Sequence, residues 1–451
     1  KNLLKTSIFL NLFSPRSWYT RLIFRPKIMN SSESKANFGG YDAAAHLTNM
    51  TICPSNDEAS ETKDFHEDEK REMELDEQEN DFEEEEDNEE IGDVILGFVD
   101  KPKNSWFLSR QYFPSKAGGT PAWLNPIDIP TGKSMLCDIC EQPLHFLLQV
   151  YAPDAENNSD SAFHRSLFLF MCTSMSCLLR DQHEQWNRGP RIPSRSVKVF
   201  RNQLPRQNPF YSSNPPNGNG TTKPSVSGVP LCTWCGTWKG DKTCGSCKNA
   251  RYCSQKHQVM HWKSGHKAYC QNPISPSQDR SLEKIKATWP EYELNQASES
   301  EFDGELPNEA VQNTLVDQSK RFDDSMASLF NTFQADDEKQ CWVSFQDRVS
   351  KSPEQVLRYC REKGAKPLWP VISGKPTNDD IPKCRYCGGL LRFEFQVMPQ
   401  LLYYMGVKND SDSLDWATVV VYTCESSCNG GGVYGEEFPW IQLWSQSSST
   451  S

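Results

Sequence analysis

Long apolar runs are missing from this chain of 451 residues. The longest are stretches such as Ala417–Tyr422 and Leu167–Cys172, far below the roughly 18 residues that a membrane-spanning helix requires, so no membrane association is expected. No secretory signal is expected either, because Ile8–Phe13 is short, is interrupted by Asn11 and leads to no small-residue cleavage site. Hydrophobic residues make up only 36% and the mean hydropathy is −0.69, too polar for a chain packed from end to end. Acids are absent from residues 1–28, which carry six bases (Lys1, Lys5, Arg16, Arg21, Arg25, Lys27) and precede the first methionine, Met29. A mitochondrial transit peptide has this composition; we expect instead upstream sequence foreign to the natural protein, with Met29 as its start. Catalytic signatures are missing as well. Thr131-Gly-Lys-Ser134 mimics the end of a P-loop, but Ile127 stands where its first glycine is needed. No paired catalytic motif is found elsewhere, so no enzyme is expected.

What charge there is falls unevenly. The formal charge is −12, yet residues 57–90 hold 20 acids against three bases, leaving the rest of the chain slightly positive. Residues 1–91 are read as disordered, acidic at 57–90: residues 29–91 hold too few aliphatic residues to offset the entropy of ordering, and 1–28 are set aside from the fold. Residues 206–228 and 273–335 are polar and read as linkers. They bracket a compact cysteine module at 229–272. Two larger segments, 92–205 and 336–446, carry strand-like, aromatic-rich sequence, and 447–451 is a short tail.

The 17 cysteines include four CxxC pairs with partners downstream, the spacing of metal sites in a reducing compartment rather than of a disulfide framework. In the module the candidate ligands are Cys232, Cys235, Cys244, Cys247, Cys253, His257, His266 and Cys270. Eight ligands make two tetrahedral sites, and Cys253/His257 and His266/Cys270 stand at the i,i+4 spacing of one helical face. A module of this size has almost no core of its own, so zinc must supply its folding free energy.

The two larger segments repeat one another. Cys137-Asp-Ile-Cys140 is followed by Leu144, Phe146, Leu148, Gln149 and Val150, and Cys384-Arg-Tyr-Cys387 at the same offsets by Leu391, Phe393, Phe395, Gln396 and Val397. Pro121-Ala-Trp123 and Pro367-Leu-Trp369 lie upstream at nearly equal distances, and apolar runs lead into Cys172/Cys177 and Cys424/Cys428. This is an internal duplication with a finger inserted between the copies. The alternation at Leu144, Phe146, Leu148 and Val150 is that of a half-buried strand. The expected fold is therefore mostly β with some α: two related β-rich lobes plus the zinc-stabilised finger. Cys137, Cys140, Cys172 and Cys177, and likewise Cys384, Cys387, Cys424 and Cys428, read either as one further zinc site per lobe or as reduced core cysteines. Cys53, Cys341 and Cys360 remain. The second lobe opens with helical sequence: Trp342, Phe345 and Val349 fall at helical spacing. Ser352-Pro-Glu-Gln355 reads as the start of a second helix that Gly364 ends, with Val356, Leu357 and Cys360 on its buried face.

Residues 232–270 resemble the MYND zinc finger family from end to end. The resemblance implies a cross-braced pairing, with Cys232, Cys235, Cys253 and His257 on one zinc and Cys244, Cys247, His266 and Cys270 on the other. His257 stands where that family more often has cysteine, and His261 is left over, for the surface or for packing behind a ligand. MYND fingers are typically peptide-binding modules, which makes proline-rich peptides candidate partners. The module is also basic, with seven bases and one acid in 229–272; anionic zinc-thiolate sites account for such compensation, so nucleic acid is not favoured. Some lysine methyltransferases carry this finger, but their Asn-His-Cys-Pro-Asn signature is absent here.

Leu96-Gly97-Phe98, the stretch Phe113-Pro-Ser-Lys-Ala-Gly-Gly-Thr-Pro-Ala-Trp123, Val199-Phe200-Arg201 with Gln203-Leu204-Pro205, and Phe393–Gln400 together resemble the programmed cell death two family. The resemblance implies a eukaryotic protein of the cytoplasm and nucleus; a monomer is expected. It would act in small ribosomal subunit production as the escort of one newly made basic ribosomal protein of the small subunit. A free ribosomal protein is a polycation, and the run Glu83–Asp87 and its neighbours read either as an opposing field for it or as a tail that only keeps the chain in solution, the reading we favour. The alternative is a nucleic-acid-binding or transcription-associated zinc-finger adaptor linked to cell death or proliferation control.

Overall fold

Apolar alternation and turn residues divide the chain into short strands that pair in an antiparallel manner, and a computed structural model shows how they close. It describes residues 93–154, 160–186, 194–270, 285, 287–302, 336–408, 410, 412–430 and 432–444. The expectations for 1–91 and 447–451, and Cys53, lie outside the described residues. In chain order the elements are β1 (Ile95–Asp100), β2 (Lys116–Ala117), β3 (His145–Tyr151), β4 (His164–Met171), α1 (Met175–Trp186) and β5 (Val197–Leu204). The finger follows with β6 (Lys242–Thr243), β7 (Arg251–Tyr252) and α2 (Gln255–His261). After it come β8 (Tyr292–Ser298), α3 (Asp336–Lys351), β9 (Leu357–Tyr359), β10 (Leu391–Val397), α4 (Gln400–Tyr404), β11 (Thr418–Cys424) and β12 (Gly435–Gln442). The fold is mostly β with few helices. Among the described residues ten strands form a closed barrel in the order β1-β8-β2-β3-β4-β5-β12-β11-β10-β9, while β6 and β7 pair apart from it.

The two repeats are the two halves of this one barrel, and their correspondence is residue by residue. β3 slips register against β4 between Phe146 and Leu148, and β10 slips against β11 between Phe393 and Phe395, the same offset in each copy. Gln149 accepts from Ala122 N at 2.8 Å and Gln396 from Leu368 N at 2.6 Å, so each clamps the middle of its Pro-x-Trp segment. Lys116 of β2 lies opposite Gln149, and Arg358 of β9 lies opposite Gln396. β2 and β9 are therefore counterparts. It follows that the halves are β8-β2-β3-β4-β5 and β1-β9-β10-β11-β12: the strand before the first repeat completes the second half, and the strand after the finger completes the first.

The bulge explains why β3 is not half-buried. Strict alternation would leave every second residue in water, but the slip at Leu147 changes phase, and residues Phe146 to Val150 are all buried. Leu147, Leu148 and Val150 join Leu167, Leu169, Val199, Phe395, Val397, Val419, Val421 and Ile441 in the core that both halves share. Phe146 turns the other way, to Trp123, Phe168, Phe170 and the finger.

Three expectations about local structure give way to tertiary pairing. Residues 353–364 form no second helix: Leu357–Tyr359 is strand β9, hydrogen-bonded between β1 and β10. Closing a barrel satisfies backbone groups that an isolated capping signal cannot, and Gly364 ends a turn at φ 84° instead of a helix. Segment 273–335, read as linker, contributes β8, whose six-residue pairing with β1 compensates for its polar sequence. Segment 206–228, also read as linker, buries Phe210 and Tyr211, and Tyr211 Oη donates to Leu124 O at 2.6 Å.

Candidate metal centres

Each finger ligand is placed by a local device. Cys232 and Cys244 start tight turns in which Gly236 N donates to Cys232 O at 2.8 Å and Lys248 N to Cys244 O at 3.1 Å. Residues Gly236 and Lys248 take positive φ, 65° and 56°, which lets the chain fold back over the two sulfurs. Ser254 caps α2 by accepting from His257 N at 3.2 Å, so Cys253 sits at the helix start with His257 one turn on. Gly265, at φ 137°, breaks the following helical turn and sets His266 and Cys270 on its continuation.

The structure brings Cys232, Cys235, Cys253 and His257 together, and separately Cys244, Cys247, His266 and Cys270, the ligand atoms of each set lying within 4.8 Å of one another. Cys235 and Cys253 sulfurs are 3.9 Å apart, Cys232 Sγ is 3.7 Å from His257 Nδ1, and Cys253 Sγ is 3.1 Å from the same nitrogen. In the second set Cys244 and Cys270 are 3.6 Å apart and Cys247 lies 3.6 Å from His266 Nε2. Zinc–sulfur bonds of about 2.3 Å in a tetrahedron put sulfurs about 3.8 Å apart, whereas a disulfide needs about 2.05 Å. The donor sets fit zinc. Hydrogen bonds from Cys235 and Cys253 push the Cys232 thiol down, and the bond to Cys232 pushes Cys253 up, so the sulfurs are strongly coupled. A divalent ion is what lets all the thiols of such a cluster ionise together.

His261 belongs to neither set. It is buried, bonds Tyr252 Oη through Nδ1 at 2.9 Å and stacks on the ring of His266 at 4.5 Å, holding that ligand in place rather than facing solvent. The barrel cysteines are brought together as well: Cys137, Cys140, Cys172 and Cys177 in the first half, Cys384, Cys387, Cys424 and Cys428 in the second. Cys140 and Cys172 sulfurs lie 3.6 Å apart, as do those of Cys384 and Cys428 and of Cys387 and Cys424. Cys341 donates to Trp369 O at 3.1 Å, and Cys360 is buried beside Trp369 and Phe393.

Sequence reasoning missed how the finger attaches. Trp238, wholly buried, packs 4.5 Å from Phe170 and 5.7 Å from Trp123, and donates from Nε1 to Leu144 O at 2.7 Å. Trp123 Nε1 returns a bond to Thr237 O at 2.8 Å. The first zinc cluster thus shares a core with the first half of the barrel, and the finger does not hang on free linkers. The available signal was a tryptophan three residues after Cys235 in a module too small to bury it alone.

Two four-ligand clusters cross-braced within about 40 residues define a MYND-type zinc-finger protein, and the MYND finger model matches residues 232–270. Models of the N-terminal and C-terminal domains of programmed cell death protein 2 match residues 93–218 and 339–443. Programmed cell death protein 2 of Bos taurus is 37% identical over 363 residues, covering 79% of this chain and 98% of that protein. That of Mus musculus is 39% identical over 363 residues, 78% of this chain and 96% of that protein. The chain belongs to the programmed cell death protein 2 family. A Schizosaccharomyces pombe protein named "Probable 20S rRNA accumulation protein 4" is 33% identical over 97 residues, 19% of this chain and 22% of that protein. No solved structure matches.

Proposed function

We propose that this chain is a zinc-dependent, non-enzymatic protein-binding factor of the cytoplasm and nucleus that escorts one newly made, basic small-subunit ribosomal protein until it is assembled. In this reading the finger carries two zinc ions and each half of the barrel one more, and proline-rich peptides are the class the finger binds. The observation that carries the ribosomal part is the likeness to a protein named for rRNA accumulation. The acidic run at 57–90 supports it, since an escort must compete with RNA for a polycation. The buried carboxylates support a binding role rather than catalysis. Glu394, Asp181 and Glu437 are each engaged by a buried arginine, and the finger's cysteines, in closed four-ligand sites, are poor nucleophiles. The test is a tagged pulldown with and without RNase, with mass spectrometry of what is retained. One basic ribosomal protein recovered near stoichiometry despite RNase supports the escort. Broad, RNase-sensitive recovery of ribosomes would replace it with nucleic-acid binding.

A further inference from the structure

All four CxxC turns of the chain are built on one plan. In the barrel Glu141 N donates to Cys137 O at 2.9 Å and Gly388 N to Cys384 O at 2.8 Å, while Cys137 N and Cys384 N donate to Gln142 O and Gly389 O at 2.9 and 2.8 Å. Glu141 and Gly388 take positive φ, 58° and 73°, as Gly236 and Lys248 do in the finger. A glutamate in the left-handed region is unfavourable by itself. Its presence in a metal-knuckle turn, with sulfurs at the tetrahedral spacing of 3.6 Å, marks the barrel clusters as sites of the finger's kind.

The two barrel clusters differ in what surrounds them. In the first, three of four cysteines are buried; in the second Cys387 is exposed and Cys428 half-exposed. Both lie at the seam between the halves, since Arg195 O accepts from Asp138 N in the first cluster's turn and its guanidinium donates to Pro439 O of the second half at 2.6 Å, but in the second the loop between two of the cysteines is itself held across it. Arg361, of the second half, donates to Cys424 O at 3.1 Å, Glu425 O at 2.9 Å and Ser427 Oγ at 2.9 Å, and pairs with Asp154 of the first half at 2.9 Å. Ser427 Oγ donates to Asp154 at 2.7 Å. From the first half, Arg201 donates to Cys428 O at 2.9 Å while pairing with Glu437 at 2.5 Å, and Gln203 donates to Ser427 O at 2.8 Å. Glu437 in turn accepts from Cys424 N at 3.0 Å. The loop 424–428, with Ser427 at φ 46°, is therefore gripped by side chains from both halves, and two of its ends are cysteines of the cluster.

Resting on the zinc reading above, we propose that Cys384, Cys387, Cys424 and Cys428 bind an exchangeable zinc ion that latches the two halves of the barrel, whereas Cys137, Cys140, Cys172 and Cys177 bind its permanent counterpart. The ion holds both ends of loop 424–428 in the shape that Arg361 and Arg201 grip; losing it frees the loop and loosens the seam at Asp154 and Arg201. The experiment uses the full chain: native mass spectrometry during titration with a chelator, and amide hydrogen exchange on the parent and on Cys384→Ser. We expect about four zinc ions per chain, the first released being the one Cys384→Ser lacks. Exchange should then rise about tenfold in 424–428, 152–154 and 199–203, with the finger unchanged. If Cys384→Ser does not fold, the partly chelated parent gives the same reading. Two zinc ions in the parent, release of all ions in one step, or exchange that rises only at 384–390 would overturn the latch. These results do not depend on which partner the pulldown retains, so failure of the escort reading leaves them standing.

Discussion

Trp238→Ala separates a finger that is part of the barrel from one that is only tethered to it. The indole is wholly buried against Trp123 and Phe170, and its Nε1 satisfies Leu144 O at 2.7 Å. Truncating a buried tryptophan to alanine costs about 3–5 kcal/mol, and orphaning a buried carbonyl adds about 1 kcal/mol or more. The expected loss is thus about 4–6 kcal/mol, against a total stability of about 5–15 kcal/mol for a domain. None of the eight ligands is removed, so zinc content should be unchanged under conditions where the variant still folds. Urea unfolding followed by far-ultraviolet circular dichroism, at fixed zinc, reads the β-rich barrel rather than the finger. A tethered finger would leave that transition where it was. A midpoint equal to the parent's, or a loss under about 1 kcal/mol, would refute the shared core. For the same reason Cys244→Ser, which breaks the second finger cluster, is expected to weaken the barrel as well as the finger.

Two further outcomes follow from geometry. Gly118 lies at φ 66° with Pro290 O only 1.8 Å from where a Cβ would be, while Gly132, at φ 64°, has nothing within 4 Å. Gly132→Ala should cost about 1 kcal/mol of backbone strain, and Gly118→Ala several times more, with amide exchange of β8 rising because that clash pushes its lead-in off β2. Equal costs would show that Gly118 serves only its own turn. His164, stacked 4.2 Å from Phe113 and bonded to Tyr151 Oη, has its pKa lowered by burial to about 4. The unfolded imidazole takes up a proton below about 6.5 while the folded one does not, so folding stability falls as pH drops from about 6.5 toward 4. His164→Phe should reduce the slope in that part of the pH profile in thermal melts at fixed zinc, His145, lowered alike to about 4, supplying the remainder; an unchanged slope would rule out His164 as a source.

The duplication and the finger were legible because ligand chemistry fixes spacing: four CxxC turns and their partners leave a pattern no tertiary context can move. The helix at Trp342, Phe345 and Val349 was legible too, since a stripe at helical period reports its own packing. What could not be read was decided by distant partners. Leu357–Tyr359 and Tyr292–Ser298 carry little strand signal of their own; one lies in a capping-like sequence and the other in a polar stretch. They are strands because β1, β2 and β10 present open edges beside them. The bulges at Leu147 and Glu394 were likewise hidden, as a register slip belongs to the pair of strands and not to either one.

The exchanged edge strands bear on why the finger sits where it does. β2 and β9 pair over only two or three residues, so each half is left with a weak edge that its own repeat cannot complete. β1 and β8 cover both edges and pair with each other over six residues, joining the halves on one side as β5 and β12 do on the other. Both ends of β8 are fixed by buried cations: Lys116 pairs with Glu291, and Arg358 with Glu299 at 2.7 Å. Across the shared core Arg165 of the first half meets Glu394 of the second, both fully buried. An unpaired partner in that position is strongly destabilising, so the pair disfavours any arrangement in which one half closes on itself. The finger lies between the first repeat and β8, on the stretch of chain that must return to finish the first half. By packing Trp238 against that half, the finger holds this stretch of chain against the half that β8 completes.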